Sequence, residues 1–172
     1  MNIIGFDPGY GLIGWGVITP DNSVDNMLKV VAYGAINTPA NLPFPRRLLQ
    51  IQDEVNALLN EYSPSCAVIE KLFFKKNVKT AADVFQARGV ILASIAGFGC
   101  EIFEMSPNQI KLMVCGHGRA QKNEVAIMVK RLLNIQHDIK YDDTSDALAG
   151  AIAGSAQLRS ERLLSKTGDM RL

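Results

Sequence analysis

Four carboxylates in this sequence stand where chemistry would want them. Asp7 closes the apolar run Ile3-Ile4-Gly5-Phe6 and is followed at once by Pro8-Gly9, and Glu70 closes a second run, Cys66-Ala67-Val68-Ile69. An acid at the end of a central strand is where open α/β sheets gather ligand-binding groups. An Asp ahead of Pro-Gly is also a side-chain cap for the turn, and on the first ten residues alone both readings stand. Asp143 and Asp146 lie three apart in Asp142-Asp143-Thr144-Ser145-Asp146-Ala147, so in a helix they share a face one turn apart. Helix capping and the helix dipole account for part of this run, but one cap does not need three aspartates.

What must position these acids is a sheet. Ile3 to Phe6 shows little alternation, which suits a strand buried on both faces, and Pro8-Gly9 stops it. Residues 12–19 read as its hairpin partner and 27–37 as a third strand rich in β-branched and aromatic residues. Pro39, Pro43 and Pro45 mark a loop, and from Arg46 to Tyr62 the residues Leu48, Ile51, Val55, Leu58 and Leu59 recur at helical spacing. Pro64 ends that helix before the Cys66–Glu70 strand. Strand, crossover helix and strand imply a parallel neighbour, so the first and fourth strand ends lie side by side, ~4.8 Å apart. Two carboxylates at that range repel by roughly 3 kcal/mol at an effective dielectric of about 20. Such a site wants a cation.

A helix is expected from about Val78 to Ala96 with Val78, Ala81, Phe85, Ile91, Leu92 and Ile95 inward, then a fifth strand at Glu101–Met105. Ser106-Pro107 opens the next helix as N-cap and N1, Gly116-His117-Gly118 breaks it, and a further helix over residues 121–133 buries Val125, Met128, Val129, Leu132 and Leu133. The helix entered at Asp142 reaches about Leu158, its Ala147, Ala149, Ala151, Ala153 and Gly154 allowing a close approach to the sheet. No pattern continues beyond, so residues 1–158 are expected as one domain and 159–172 as a mobile tail.

The 172 residues, 48% hydrophobic and 20% charged, fit a globular chain. No segment approaches the ~18 uninterrupted apolar residues of a membrane span, and strand-like sequence from residue 2 does not read as a signal peptide. Cys66, Cys100 and Cys115 are an odd, widely spaced set that suggests reduced thiols in a cytoplasmic protein. With only His117 and His137, the usual spacing of a zinc site is missing. The net charge of +1 conceals an uneven distribution, with Lys71, Lys75, Lys76, Lys79 and Arg88 in the middle third and Lys111, Arg119, Lys122, Lys130 and Arg131 later. A basic face around an acidic pocket is the pattern of an enzyme that binds a polyanion and cuts it with metal; solvated helix faces of mixed charge are the plainer account of individual lysines. Lys71-Leu72-Phe73-Phe74-Lys75-Lys76 offers an aromatic for base stacking and lysines for phosphate, although either Phe is equally suited to the core. Arg119 and Lys122 sit at a helix N-terminus, where N–H groups also favour phosphate.

These motifs resemble those of the RuvC-type Holliday junction resolvases, nucleases of the RNase H-like superfamily. The likeness is carried by Gly5-Phe6-Asp7-Pro8-Gly9, Gly14-Trp15-Gly16-Val17-Ile18, Ile69-Glu70 with Phe73, Lys76-Asn77, Gln86-Ala87-Arg88-Gly89, Lys111, Gly118 to Lys122 and Asp143 to Leu148. It implies an RNase H-like α/β fold, a five-stranded mixed sheet with three antiparallel strands first and parallel ones after, flanked by helices. It further implies that Asp7, Glu70, Asp143 and Asp146 hold two Mg²⁺ ions, with Mn²⁺ as a substitute. Phe73 would stack at the junction centre, and Lys111 and Lys122 would lie near the scissile strand. Lys75, Lys76, Asn77, Arg88 and Arg119 complete the expected DNA-contacting set. The implied activity is paired nicking of four-way junctions by a homodimer in recombination and repair, with the RuvA and RuvB branch-migration proteins as partners. Ile13, where the family often has a hydroxyl residue, and the last sixteen or so residues depart from the pattern. Competing readings are another RNase H-like nuclease such as a pre-ribosomal-RNA processing enzyme, a non-catalytic junction-binding module, and an ATP-binding domain of the actin type. The last needs two such domains, and the chain has length for one.

Overall fold

Alternation along the first strand decides where the acids go. In the computed structural model, which describes residues 1–21, 27–73 and 81–168, β1 (Ile3–Asp7) is buried on both faces. Ile3 joins one core cluster, Ile4 and Phe6 the other, so Asp7 shares the Ile3 and Gly5 face. β2 (Leu12–Pro20) runs antiparallel to β1, with Asp7 opposite Gly14, and β3 (Leu28–Asn37) runs antiparallel to β2. β4 (Cys66–Glu70) is parallel to β1, Phe6 pairing with Ile69, and β5 (Glu101–Met105) is parallel to β4. The sheet order is β3-β2-β1-β4-β5, the mixed five-stranded arrangement expected. Val68 lies in the Ile3 cluster, which puts Glu70 on the same face as Asp7.

α1 (Phe44–Tyr62) and α2 (Ala81–Phe98) cover the Ile4 face, burying Ile51, Val55, Leu59, Ala87, Ile91 and Ile95. α3 (Pro107–Cys115), α4 (Lys122–Leu132) and α5 (Asp142–Gly168) form the layer on the Ile3 face. Ser106 caps α3 in a reciprocal capping box with Gln109, as Ser-Pro at a helix start predicts. α1 begins at Phe44, two residues before the expected start at Arg46, because Pro45 is tolerated in a first turn where no intrahelical N–H is needed.

Three expectations are corrected. Phe85 and Leu132 are exposed rather than inward. α2 packs through the stripe Ala87, Ile91, Ser94 and Ile95, and Phe85 stands about 200° from Ala87 at 100° per residue. α5 does not end near Leu158 but continues to Gly168; beyond the sheet it keeps local support such as Gln157 Nε2 donating to Glu161 Oε1 at 2.7 Å, which an apolar pattern cannot reveal. α2 is also apolar on most of its circumference, with a mean hydropathy of 1.3 over 18 residues, interrupted by Asp83 and Arg88. Phe74, Lys75, Lys76, Asn77 and Val78 lie outside the described residues.

Candidate active site

The acids meet because glycines take the side chains out of the sheet beneath α5. A Cβ on Gly5 would fall 2.0 Å from the Ala147 carbonyl oxygen, and one on Gly14 would fall 1.9 Å from that of Asp143. Either distance is far inside van der Waals contact, so the first turns of α5 rest directly on the β1 and β2 backbones. Thr144, buried, ties the helix start to β3 by donating from Oγ1 to the Gly34 carbonyl at 2.9 Å. Asp143 and Asp146 are thereby lowered onto the strand ends that carry Asp7 and Glu70.

The electrostatics follow from that crowding. Burial, then the charges of Glu70, Asp146 and Asp143, push the Asp7 carboxyl up from its ordinary value of 3.8 to about 8, with Lys122 opposing. Burial and the neighbouring Asp146 push Glu70 up to about 7, against Lys111 and Lys122. Asp146 is also raised by burial, although the ammonium of Lys122 draws it down. Lys122 Nζ stands 3.3 Å from Asp146 Oδ2 and 3.4 Å from Asp142 Oδ2. Its own pKa is raised: burial works against the charge, and the attraction of and bonds to Asp146 and Asp142 outweigh it.

Two hollows flank this pair. One, of about 170 Å³, is lined by Glu70, Lys111, Lys122 and Asp146 with Ile110 and Ala149; the other, of about 260 Å³, by Lys122, Asn123, Asp142, Ser145 and Asp146. Among the described residues no three His, Cys, Asp or Glu side chains already converge as a metal cage. The donor chemistry nevertheless fits a hard divalent cation. The carboxylates supply only oxygen, they are held in one another's field at a cost that a positive ion would relieve, and the hollows leave room for the water such ions retain.

The sequence-predicted contacts divide into three groups. Phe73, three residues beyond the end of β4, is 70% exposed, and of the two Phe residues it is the one described. Lys111 lines the first hollow, and Arg119 is exposed just ahead of α4. Arg88 is different: its side chain is only 13% exposed, Nε donates to the Glu70 carbonyl at 3.0 Å, and the guanidinium pairs with Glu104. It faces the protein rather than open solvent. Lys75, Lys76 and Asn77 are not among the described residues.

Sequence reasoning missed Arg47. This buried arginine of α1 donates from Nε to Thr38 Oγ1 at 2.9 Å and from Nη2 to the carbonyls of Tyr10 and Thr38 at 3.1 and 3.2 Å, and its guanidinium lies over the Tyr10 ring. It anchors the turn that follows Asp7. An arginine in an amphipathic helix reads as a solvated face, and only the long-range carbonyls reveal its use.

A profile of crossover junction endodeoxyribonuclease RuvC matches residues 3–154. This chain belongs to the RuvC family. Members from Alkaliphilus oremlandii and Thermotoga petrophila are 47% and 41% identical over 88% and 95% of the chain, covering 91% and 97% of those proteins. The solved structure of Thermus thermophilus RuvC superposes with a TM-score of 0.86 at 27% identity, covering 94% of this chain and 97% of that one. A structure of the same protein in complex with a Holliday junction has a TM-score of 0.82 at 24% identity, covering 93% and 96%. The family comprises metal-dependent hydrolytic endonucleases, and the RNase H-like fold read from the motifs is the one observed.

Proposed function

We propose that this chain cuts four-way DNA junctions by paired symmetric nicks, using two Mg²⁺ ions held by Asp7, Glu70, Asp143 and Asp146. The observation that carries the reading is the meeting of Asp7 and Glu70, at adjacent parallel strand ends, with the first turn of α5, where burial and then the neighbouring acids raise the Asp7 carboxyl to about 8. When bound, such ions supply an activated water and stabilisation for the leaving 3′ oxygen of an in-line displacement. The protein's own part is placement. Asp7, whose carboxyl feels the charges of Glu70, Asp146 and Asp143, would be the ligand common to both ions. Lys122 holds Asp146 and Asp142 in register. Lys111, beside Glu70 in the hollow, and exposed Arg119 present positive charge to the phosphates of the bound strands. Exposed Phe73 offers a ring on which an unpaired base at the crossover stacks. Lys75, Lys76 and Asn77, outside the described residues, are also assigned to DNA contact, and Mn²⁺ substitutes for Mg²⁺.

A junction needs two cuts related by two-fold symmetry, so the acting form is a homodimer. The apolar helix α2, with Phe85 and Phe98 exposed in the single chain, supports an interface on that side. In the cell the enzyme works in the cytoplasm, where its unpaired Cys66, Cys100 and Cys115 stay reduced, in recombination and repair alongside the RuvA and RuvB branch-migration proteins. The test is to offer a synthetic four-way junction and a linear duplex of matched sequence, first with Mg²⁺ and then with EDTA. Symmetric cutting of the junction alone, abolished by chelation, is expected. Equal cutting of both substrates, or cutting that survives EDTA, overturns the proposal.

A further inference from the structure

Arg88 faces inward, and the reason lies in Pro8. In the parallel ladder Phe6 pairs with Ile69, so one step further Asp7 stands opposite Glu70. On the other side the Lys71 N–H donates to the Met105 carbonyl of β5 at 2.8 Å. The Glu70 carbonyl, antiparallel to that N–H across a planar peptide, therefore points toward β1. In a parallel ladder it would there accept from the residue that follows its partner. That residue is Pro8, which has no N–H to give. The turn that frees Asp7 for the site thus leaves the backbone of Glu70 short of a donor, at the place where a metal-binding carboxylate must be held steady.

Arg88 fills the gap from α2. Its Nε supplies the missing hydrogen bond at 3.0 Å, and its outer nitrogen pairs with Glu104 on β5. The guanidinium thus spans from the strand end carrying Glu70 to the neighbouring strand. Its charge is matched by Glu104; the cations felt by the Glu70 carboxyl are Lys111 and Lys122. Arg88 acts on the site through geometry.

We infer that Arg88, braced by Glu104, is a positioning residue that replaces the backbone donor lost at Pro8 and fixes the strand end from which Glu70 reaches the metal. The inference rests on the proposed metal-binding role of Glu70. Groups that orient a metal ligand typically cost 10- to 100-fold in metal affinity when removed.

The experiment measures Mn²⁺ binding to the full chain by titration calorimetry without DNA, and junction binding in EDTA as a function of salt. It compares the unaltered protein with Arg88→Met, Arg88→Lys and Glu104→Gln, below the unfolding temperature of each. Mn²⁺ binding about tenfold weaker in Arg88→Met and Arg88→Lys is expected, because lysine keeps the charge and loses the two-armed brace. Glu104, 44% exposed, can be changed with little risk to folding, and Glu104→Gln should weaken Mn²⁺ by a smaller factor. Junction affinity and its salt slope should stay within twofold throughout. The inference is overturned if Arg88→Met binds Mn²⁺ normally, or if it loses junction affinity with a salt slope smaller by about one, as a phosphate contact would. Tighter junction binding by Glu104→Gln with unchanged Mn²⁺ affinity counts against it in the same way. Failure of the unaltered chain to bind Mn²⁺ would instead defeat the proposed function on which the inference stands.

Discussion

Asp7→Asn should make the metal-free protein more stable while abolishing cleavage. In the folded chain the Asp7 carboxyl titrates near 8, against an ordinary value of 3.8. Below pH ~4 the carboxyl is protonated in both folded and unfolded chains and contributes no difference. As pH rises the unfolded chain releases its proton while the folded one retains it, so folding stability falls with each pH unit until the folded group itself ionises near pH 8. At pH 7 the gap of about three units, at 1.36 kcal/mol each, comes to about 4 kcal/mol. Relaxation of the neighbouring Glu70 and Asp146 reduces this, and about 2 to 4 kcal/mol is expected. For a chain of this size that corresponds to a Tm higher by roughly 5 to 15 °C in the variant. The assay is thermal unfolding in EDTA at half-unit intervals from pH 4.5 to 8.5. The two proteins should differ least at the acid end and diverge toward pH 8. Saturating Mg²⁺ should then raise the Tm of the unaltered protein by more than that of the variant, closing the gap. A Tm difference that stays flat with pH, or a variant that is less stable at pH 8, refutes the reasoning: Asp7 would then be a turn cap whose charge is welcome.

Other substitutions address separate links. Gly5→Ala places a methyl group against the α5 backbone at the Ala147 carbonyl, and a loss of about 3 kcal/mol or more is expected in denaturant unfolding; near-normal stability would mean that α5 can lift off the sheet at little cost. Phe73→Ala should leave Tm within a degree or two, since the ring is exposed, and slow junction cutting, with a large Tm loss returning Phe73 to the core. Lys122→Met should lower Tm in EDTA at pH 8 by the equivalent of about 1 kcal/mol or less, because the pair is partly solvated; no change at all would show that water already screens Asp142 and Asp146.

Most of the strand order was legible because each strand's apolar run was bounded by Pro, Gly or an acid, and the crossover after β3 forced β4 to lie parallel to β1. Asp7 and Glu70 could be brought together on that logic alone. The face they occupy could not be read so directly: continuous burial of β1 hides its alternation, and only the assignment of Ile3 and Ile4 to different cores reveals it. Phe85 was misread because helical spacing identifies a stripe only when the helix has a polar face, and α2 is apolar nearly all round; Leu132 is the last residue of α4, beyond the buried Val125 and Val129. The inward uses of Arg47 and Arg88 depend on carbonyls 37 and 18 residues away in the chain, and nothing in local pattern signals an acceptor. The missing N–H at Pro8 was visible from the start, but its consequence for Glu70 required the register.

The seat of α5 on the β1–β2 hairpin has a consequence for when the enzyme becomes capable of cutting. Residues 143 and 146 dock on strands laid down within the first twenty residues of the chain. During synthesis the hairpin, α1 and β4 can form while α5 is still unmade, and through that interval half of the acid set is absent. Contacts so distant in sequence also close late in folding. On the proposed metal-binding role of the four acids, a nascent or truncated chain is therefore expected not to cut, and cleavage is expected only once the last helix is in place.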